Sequence, residues 1–204
     1  MGYSSTGITK FQYASYLAGA FAYLMIRQRD AVGLVTFDDK IRRYLPPRSV
    51  SSYLTQILKE LDTSESQSQT DVALALHQMA ERIKRRGLII LFSDLMDDPH
   101  KVIQSLKHFR HKKHEVIVFH ILDPMEISFE FKQDAVFKDM ETGEELNTQA
   151  WHIMADYQAK IKSFVKQYKK ACREHNIDYV PLNTKEPYDR ALFEYLLKRK
   201  RLGG

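Results

Sequence analysis

Leu88–Asp94 (LIILFSD) decides the fold, because five consecutive apolar residues end in a polar Ser-Asp pair. A short apolar run of this kind is typical of a parallel strand that is covered on both faces. Similar runs occur at Ala31–Phe37 and Val116–Leu122, and a further strand is predicted at Asp178–Leu182. Helical patterns separate these runs, which predicts an α/β domain with a mostly parallel sheet.

Helical periodicity marks six segments of the chain. They are about Thr9–Gln28, a helix that is capped by Ser49 or Ser51 and runs to about Leu61, a helix that opens at Thr70, Pro99–Arg110, Ala150–Glu174 and Tyr188–Lys200. The first of them carries apolar residues on more than one face, so we expect it to be largely buried. Its predicted N-cap is Thr9.

Two regions are predicted to be antiparallel. Asp38-Asp39 forms the turn of a hairpin between Ala31–Phe37 and Ile41–Leu45, which ends at Pro46-Pro47. Alternating pieces near Ile127–Phe131, Ala135–Lys138 and Glu145–Leu146 suggest a small β meander. We therefore predict one domain over residues 1–204 with a β insertion at about residues 126–148.

Composition excludes several classes of protein. The chain has 204 residues, 44% of them hydrophobic and 28% charged, as in ordinary globular proteins. No apolar run is long enough to span a membrane. The single cysteine, Cys172, excludes an internal disulfide and predicts a reducing, cytoplasmic location. The net charge of +5 comes mostly from helix ends and the C-terminal tail, where cations complement the helix dipole.

The start of the chain lacks an element that such folds usually have. The first helix begins shortly after Met1-Gly2, whereas a strand normally precedes it and the strand–helix loop usually carries the site. We interpret the sequence as a fragment, or as one whose start was assigned at an internal methionine. Another segment or chain could also fill the gap.

Two residues lie where an α/β sheet places ligands, at a strand carboxyl end and a helix N-terminus. Asp94 follows the most apolar strand, and Thr70 follows a polar loop and opens a helix. The alternative reading is structural: Thr70 is an N-cap, with Asp71 favoured beside it by the helix dipole, and Asp94 caps the next loop.

Short motifs in a characteristic order indicate a family. They are Met1-Gly2-Tyr3, Thr9–Ala14 (TKFQYA), Gln28–Val35 (QRDAVGLV), Thr70-Asp71, Ser93-Asp94-Leu95, Leu122–Glu126 (LDPME), Phe137–Glu144 (FKDMETGE) and Ile177-Asp178-Tyr179. The chain resembles the von Willebrand factor type A-like domains of the bacterial domain-of-unknown-function family 58, which are often encoded beside MoxR-type ATPases. The resemblance runs through nearly the whole chain.

The resemblance implies a Rossmann-like sheet with helices on both faces. The absent first strand would be central, between Ala31–Phe37 and Leu88–Phe92, so these two strands should not pair with each other. Two buried strands would then each have an unpaired edge, and each unsatisfied buried backbone group costs roughly 1–3 kcal/mol.

The resemblance also implies a metal-ion-dependent adhesion site. Its ligands come from an Asp-x-Ser-x-Ser loop, a threonine and an aspartate; Thr70 matches the threonine and Asp94 the aspartate, while the loop would lie just before Met1. Mg²⁺ prefers near-octahedral oxygen coordination, and one hydroxyl plus one carboxylate fall short of it. We expect Mg²⁺ in the intact protein, but weak or no metal binding by this chain.

The predicted function is non-enzymatic protein–protein interaction, with a MoxR-type AAA ATPase as partner in a chaperone or assembly role. A basic nucleic-acid-binding module is an alternative, although the basic clusters lack the glycines and stacking aromatics of RNA-binding sheets. A metal-assisted phosphohydrolase built on Asp94, Asp97 and Asp98 is another, although the sequence has no glycine-rich phosphate loop. The histidines near residues 100–114 are interpreted as an exposed basic helix end.

Overall fold

A computed structural model describes residues 1–64, 71–129, 135–138, 145–148, 150–190, 192–193 and 196. For residues 135–138, 145–148 and 150–153 it describes the backbone only. In chain order the elements are α1 (Lys10–Arg27), β1 (Val32–Phe37), β2 (Ile41–Arg48), α2 (Tyr53–Thr63), α3 (Val72–Arg82), β3 (Leu88–Ser93), α4 (Pro99–His111), β4 (Glu115–Leu122), α5 (Pro124–Ser128), β5 (Ala135–Lys138), β6 (Glu145–Thr148), α6 (Ala150–Glu174) and β7 (Asp178–Asn183).

The centre of the fold is a parallel sheet of three strands in the order β3-β4-β7. Its register places Leu88 of β3 beside Glu115 of β4, and Ile117 of β4 beside Asp178 of β7. Strands β1 and β2 form an antiparallel hairpin, and β5 pairs with β6 in a second one. The predicted α/β class with a parallel sheet is therefore confirmed at this level.

Strand β4 separates two layers of the core, because its side chains alternate between the sheet faces. Ile117, Phe119 and Ile121 pack against α1. Val116 and Val118 belong to the cluster that contains the apolar faces of α3, α4 and α6. Helices therefore cover both faces of the sheet, as predicted.

A cavity of about 1190 Å³ lies between the hairpin and the parallel sheet. Gly33 and Val35 of β1 line one side, Ile90 and Phe92 of β3 line the other, and Phe21 of α1 contributes to the wall. Within the described residues, β1 and β3 lie in separate sheets and are not hydrogen-bonded to each other, as expected. The cavity leaves β3 half-buried over most of its length, so the prediction that both of its faces are covered is only partly correct.

Several predicted boundaries differ from those observed. Strand β2 continues through Pro46-Pro47 to Arg48, because proline is tolerated where the strand's N–H side has no partner. Helix α2 has Ser52 as its N-cap rather than Ser49 or Ser51. The predicted helix at Tyr188–Lys200 begins at residue 188, but most of it lies outside the described residues.

The first piece of the predicted meander is wrong. Residues 124–128 form the short helix α5, because Asp123 and Glu126 make a reciprocal capping box and Pro124 occupies the first helical turn. Within the described residues, the β part of the insertion contains β5 and β6.

None of the helices in the described ranges is both long enough and apolar enough to cross a membrane.

Candidate functional site

Asp94 lies at the carboxyl end of β3, where parallel sheets place ligands. Its carboxylate is almost fully buried and forms an ion pair with Lys10, whose Nζ lies 2.8 Å from Oδ2. The nitrogen of Met1 lies 3.0 Å from the same oxygen. Burial alone would raise the pKa of Asp94, but the Lys10 ammonium group acts against this effect, and the pKa lies below its usual range. Asp94 is therefore a buried, ionised carboxylate.

Lys10 joins Asp94 to a second carboxylate. Its Nζ lies 2.6 Å from Oε1 of Glu126, and its side chain is only 3% exposed. Burial by itself would lower the pKa of Lys10, but Asp94 and Glu126 overcome this effect and raise it. The two carboxylates thus share one buried, charged ammonium group.

Asp123 holds the N-terminal loop against the same edge of the sheet. Its side chain is fully buried and accepts hydrogen bonds from the Ser5 backbone N–H at 2.8 Å and from the Ser5 hydroxyl. It also accepts from the Met125 N–H at 2.8 Å, while Glu126 accepts from the Asp123 N–H at 2.9 Å. The loop before α1 and the start of α5 are consequently one hydrogen-bonded unit.

Replacing Asp123 by alanine should therefore destabilise the protein more than removing an ordinary helix cap. We expect a loss of about 2 kcal/mol in the free energy of unfolding, because three donors, two on Ser5 and the Met125 N–H, lose an acceptor that is itself fully buried. Urea denaturation measures this loss in the free energy of unfolding. The matched control is Asp98→Ala, which removes an exposed cap that accepts from the His100 N–H, and should cost about 1 kcal/mol. Equal losses in the two variants would contradict this role of Asp123.

The backbone after Asp94 turns through an unusual conformation. Leu95 has φ of 53°, in the left-handed region that costs a non-glycine residue about 1 kcal/mol. The Leu95 N–H donates to Ser93 Oγ at 3.0 Å, and the Tyr168 hydroxyl donates to the Leu95 carbonyl at 3.3 Å. Buried side chains thus hold a strained turn, as is common beside functional sites.

His120 supports Asp94 from inside the sheet. The ring is fully buried, and its Nε2 lies 2.9 Å from the Asp94 backbone carbonyl. Nδ1 contacts the Tyr179 hydroxyl. Because a carbonyl can only accept, Nε2 carries the proton and Tyr179 donates to Nδ1. Burial lowers the pKa of His120 to about 4, so the ring is neutral near pH 7.

Of the other predicted candidates, those that the structure describes have structural roles. Thr70 lies outside the described residues, and Asp71 is the N-cap of α3, where it accepts from the Leu74 N–H at 2.8 Å. Asp97 accepts from the Ala73 N–H at 3.1 Å and so ties the loop after β3 to α3. His114 is buried against Phe109, which corrects its assignment to an exposed helix end.

The described residues do not fit a divalent ion. The Lys10 ammonium group already occupies Asp94, and the described part of the chain contains no group of three or more histidine, cysteine, aspartate or glutamate side chains that could hold a metal ion. Weak or absent metal binding by this chain stays a prediction, because Thr70 is not described.

Sequence reasoning missed Lys10 and His120 as parts of the site. A signal existed for each. Lys10 precedes Tyr13, Ala14 and Leu17 at helical spacing, so it falls on the buried face of α1. His120 interrupts an otherwise apolar strand. A charged or polar residue at such a position requires a buried partner.

Four large apolar side chains are exposed on segments that this network holds. Ile8, Leu74, Met96 and Ile127 are between 39% and 45% exposed. Ile8 is two residues before Lys10, Met96 two residues after Asp94, and Ile127 directly follows Glu126. Leu74 adjoins Ala73, which is bonded to Asp97. We call these four residues the apolar rim.

Comparison with known proteins gives a family model and a fold. A model described as "Protein of unknown function DUF58" matches residues 1–169. No curated protein matches the chain. The chain is similar in structure to a conserved hypothetical protein BatB from Bacteroides thetaiotaomicron, with 16% identity and a TM-score of 0.55 over 95% of this chain and 89% of that one. It is also similar to an aerotolerance-related membrane protein from Bacteroides fragilis NCTC 9343 with multiple mutations to serines, with 17% identity and a TM-score of 0.53 over 95% and 90% of the two chains. Identities this low show a shared fold alone.

Proposed function

Because this chain belongs to the DUF58 family, we propose that it is a non-enzymatic protein-interaction domain of the von Willebrand factor A type. Its adhesion site is degenerate, and its partner is a MoxR-type AAA ATPase in a chaperone or assembly role. The partner follows from the sequence resemblance to domains encoded beside such ATPases. The cytoplasmic location is part of the same proposal.

The observation that carries the proposal is the apolar rim. Three of its exposed apolar side chains lie within two residues of Lys10, Asp94 or Glu126, and the fourth, Leu74, adjoins Ala73, which is bonded to Asp97. Exposed apolar patches that are bordered by polar groups are typical of protein-binding surfaces. The ion pairs and hydrogen bonds hold these segments in place, so the surface is preorganised and little conformational entropy is lost on binding.

Charged substitutions in the rim should abolish most of the binding. We expect Met96→Asp and Leu74→Asp each to weaken the affinity for the ATPase by about tenfold or more, because each places an unpaired charge in a desolvated contact. Biolayer interferometry with a purified MoxR-type ATPase from the same organism measures this effect.

The matched control is Val50→Asp. Val50 is 57% exposed, and it follows β2, whose Arg48 pairs with Val32 near the far end of α1. An 18-residue helix spans about 27 Å, so Val50 lies well away from the rim. Val50→Asp should bind like the parent protein. Unchanged affinity in both rim variants would refute the proposed surface.

The nucleic-acid and phosphohydrolase alternatives remain hypotheses. No contact within the described residues favours either of them over the interaction domain.

A further inference from the structure

We infer that Lys10 is the resident cation of the site at Asp94, in place of a divalent metal ion. Its ammonium group holds together three of the four segments that carry the rim, and a divalent ion binds the carboxylates only when Lys10 is replaced. The effect of Lys10 on partner binding rests on the proposed function, whereas its role as the cation rests on the contacts alone.

The first argument is position. One ammonium group contacts Asp94 at 2.8 Å and Glu126 at 2.6 Å, and these residues are 84 and 116 positions away from Lys10 in the chain. The contacts connect the start of α1, the end of β3 and the helix α5. A metal ion bridging two carboxylates would connect the same segments.

The second argument is charge. A lysine in the first turn of a helix faces the positive end of the helix dipole, which disfavours it. A lysine this deeply buried is rarely found without partners. Lys10 is therefore stable there because Asp94 and Glu126 neutralise it, and not because α1 requires a cation at that position.

The third argument is exclusion. Mg²⁺ and Mn²⁺ require oxygen ligands in a nearly octahedral arrangement, with the carboxylate free to bind the ion. At Asp94 one carboxylate oxygen already accepts from the Lys10 ammonium group, and one of the Glu126 oxygens is bonded to the same group. A dication at Asp94 would meet the positive charge of Lys10 within a few ångströms. Removal of that charge opens both carboxylates.

Thermal unfolding tests the inference without any partner, with Mn²⁺ as the probe. The parent protein should have the same Tm in EDTA and in millimolar Mn²⁺, within about 1 °C. Lys10→Met should lower the Tm in EDTA by about 5 °C, because it leaves buried carboxylates unpaired. Millimolar Mn²⁺ should restore at least half of that loss. The control is Lys101→Met, which removes an exposed lysine from the first turn of α4. It should change neither the Tm in EDTA nor the Tm in Mn²⁺.

Two results would overturn the inference. One is equal stabilisation of the parent and Lys10→Met by Mn²⁺, since Lys10 would then not exclude the ion. The other is a Lys10→Met Tm equal to that of the parent.

The double variant Lys10→Met/Asp94→Asn decides the matter if Lys10→Met does not fold. The double variant should unfold cooperatively and recover part of the Tm that Lys10→Met loses, since the Lys10 and Asp94 charges are removed together. Its Tm should not respond to Mn²⁺. A double variant that fails to fold, or one that still responds to Mn²⁺, contradicts the inference. The proposed function fails separately, if the rim variants bind the ATPase normally while the Mn²⁺ results hold.

Discussion

Phe119→Ala is expected to lower the free energy of unfolding by about 4 kcal/mol, because it removes a large aromatic side chain from the centre of the core. Phe119 lies on the middle strand β4 and has no exposed surface. Its ring stacks on Phe92 at 5.2 Å between centroids and contacts Phe21 of α1 at 5.4 Å. The substitution therefore loses contacts within the sheet and with the helix that covers it.

Surrounding atoms cannot readily fill the space that alanine would leave. Phe21 and Phe92 already border the cavity between β1 and β3, so their relaxation toward position 119 would open that cavity further. For a protein of this size, 4 kcal/mol corresponds to a Tm decrease of about 8–16 °C.

Urea unfolding of two matched variants tests this prediction. Phe193 is 61% exposed, and Phe193→Ala should change the free energy of unfolding by no more than about 0.5 kcal/mol. Phe119→Leu keeps most of the apolar volume and should lose less than Phe119→Ala. A loss for Phe119→Ala as small as that for Phe193→Ala would show that the packing around β4 is wrong.

Acidification from pH 6.5 to pH 4 is expected to remove about 3 kcal/mol of stability through His120 alone. Burial lowers the pKa of this histidine from 6.5 to about 4. The unfolded chain therefore takes up a proton at a higher pH than the folded protein does. The stability that the neutral His120 ring contributes is fully present above pH 6.5 and is lost as the pH falls towards 4.

The surroundings of His120 explain why the neutral ring is favoured. Tyr179 and the Asp94 carbonyl satisfy both nitrogens of the neutral form, and the rings of Phe164 and Tyr168 pack edge-on against the imidazole. The Asp94 carboxylate favours the protonated ring, and Lys10 opposes it. Loss of hydration is the largest of these effects.

The free energy of unfolding, measured as a function of pH for the parent and for His120→Gln, tests this prediction. Glutamine can donate to the Asp94 carbonyl and accept from Tyr179 but does not titrate, so the pH dependence between 6.5 and 4.5 should become much shallower. Three carboxylates have pKa values below their usual range, so their contributions to stability are lost only at lower pH. They are Asp38, Glu81 and Asp94. His100→Gln, at an exposed position, is the control and should keep the parent's slope. An identical slope in His120→Gln would refute the assignment.

Much of the secondary structure could be predicted from hydrophobic period and cap residues. The helix predicted at Thr9–Gln28 is observed at Lys10–Arg27, with Thr9 in a capping box with Gln12. Strands β3, β4 and β7 lie within one residue of their predicted ends at both termini. These signals are local, because period and caps depend on residues only a few positions apart.

Prediction failed where a local pattern fitted two structures. Residues 127–131 alternate like a strand, but the capping box of Asp123 with Glu126 starts a helix that includes Ile127 and Ser128. Pro46-Pro47 was expected to end β2, although an edge strand tolerates proline. In both cases, the structure that forms depends on whether the segment pairs with a neighbouring element.

By itself, the sequence determined the order and type of the elements, the carboxyl-end position of Asp94 and the family. Only the tertiary structure decided which charges meet there. Lys10, Asp94 and Glu126 are far apart in the chain, and no local pattern pairs them. Burial at the carboxyl end of the sheet makes that pairing necessary, because a charge removed from water is stable only beside its counterion.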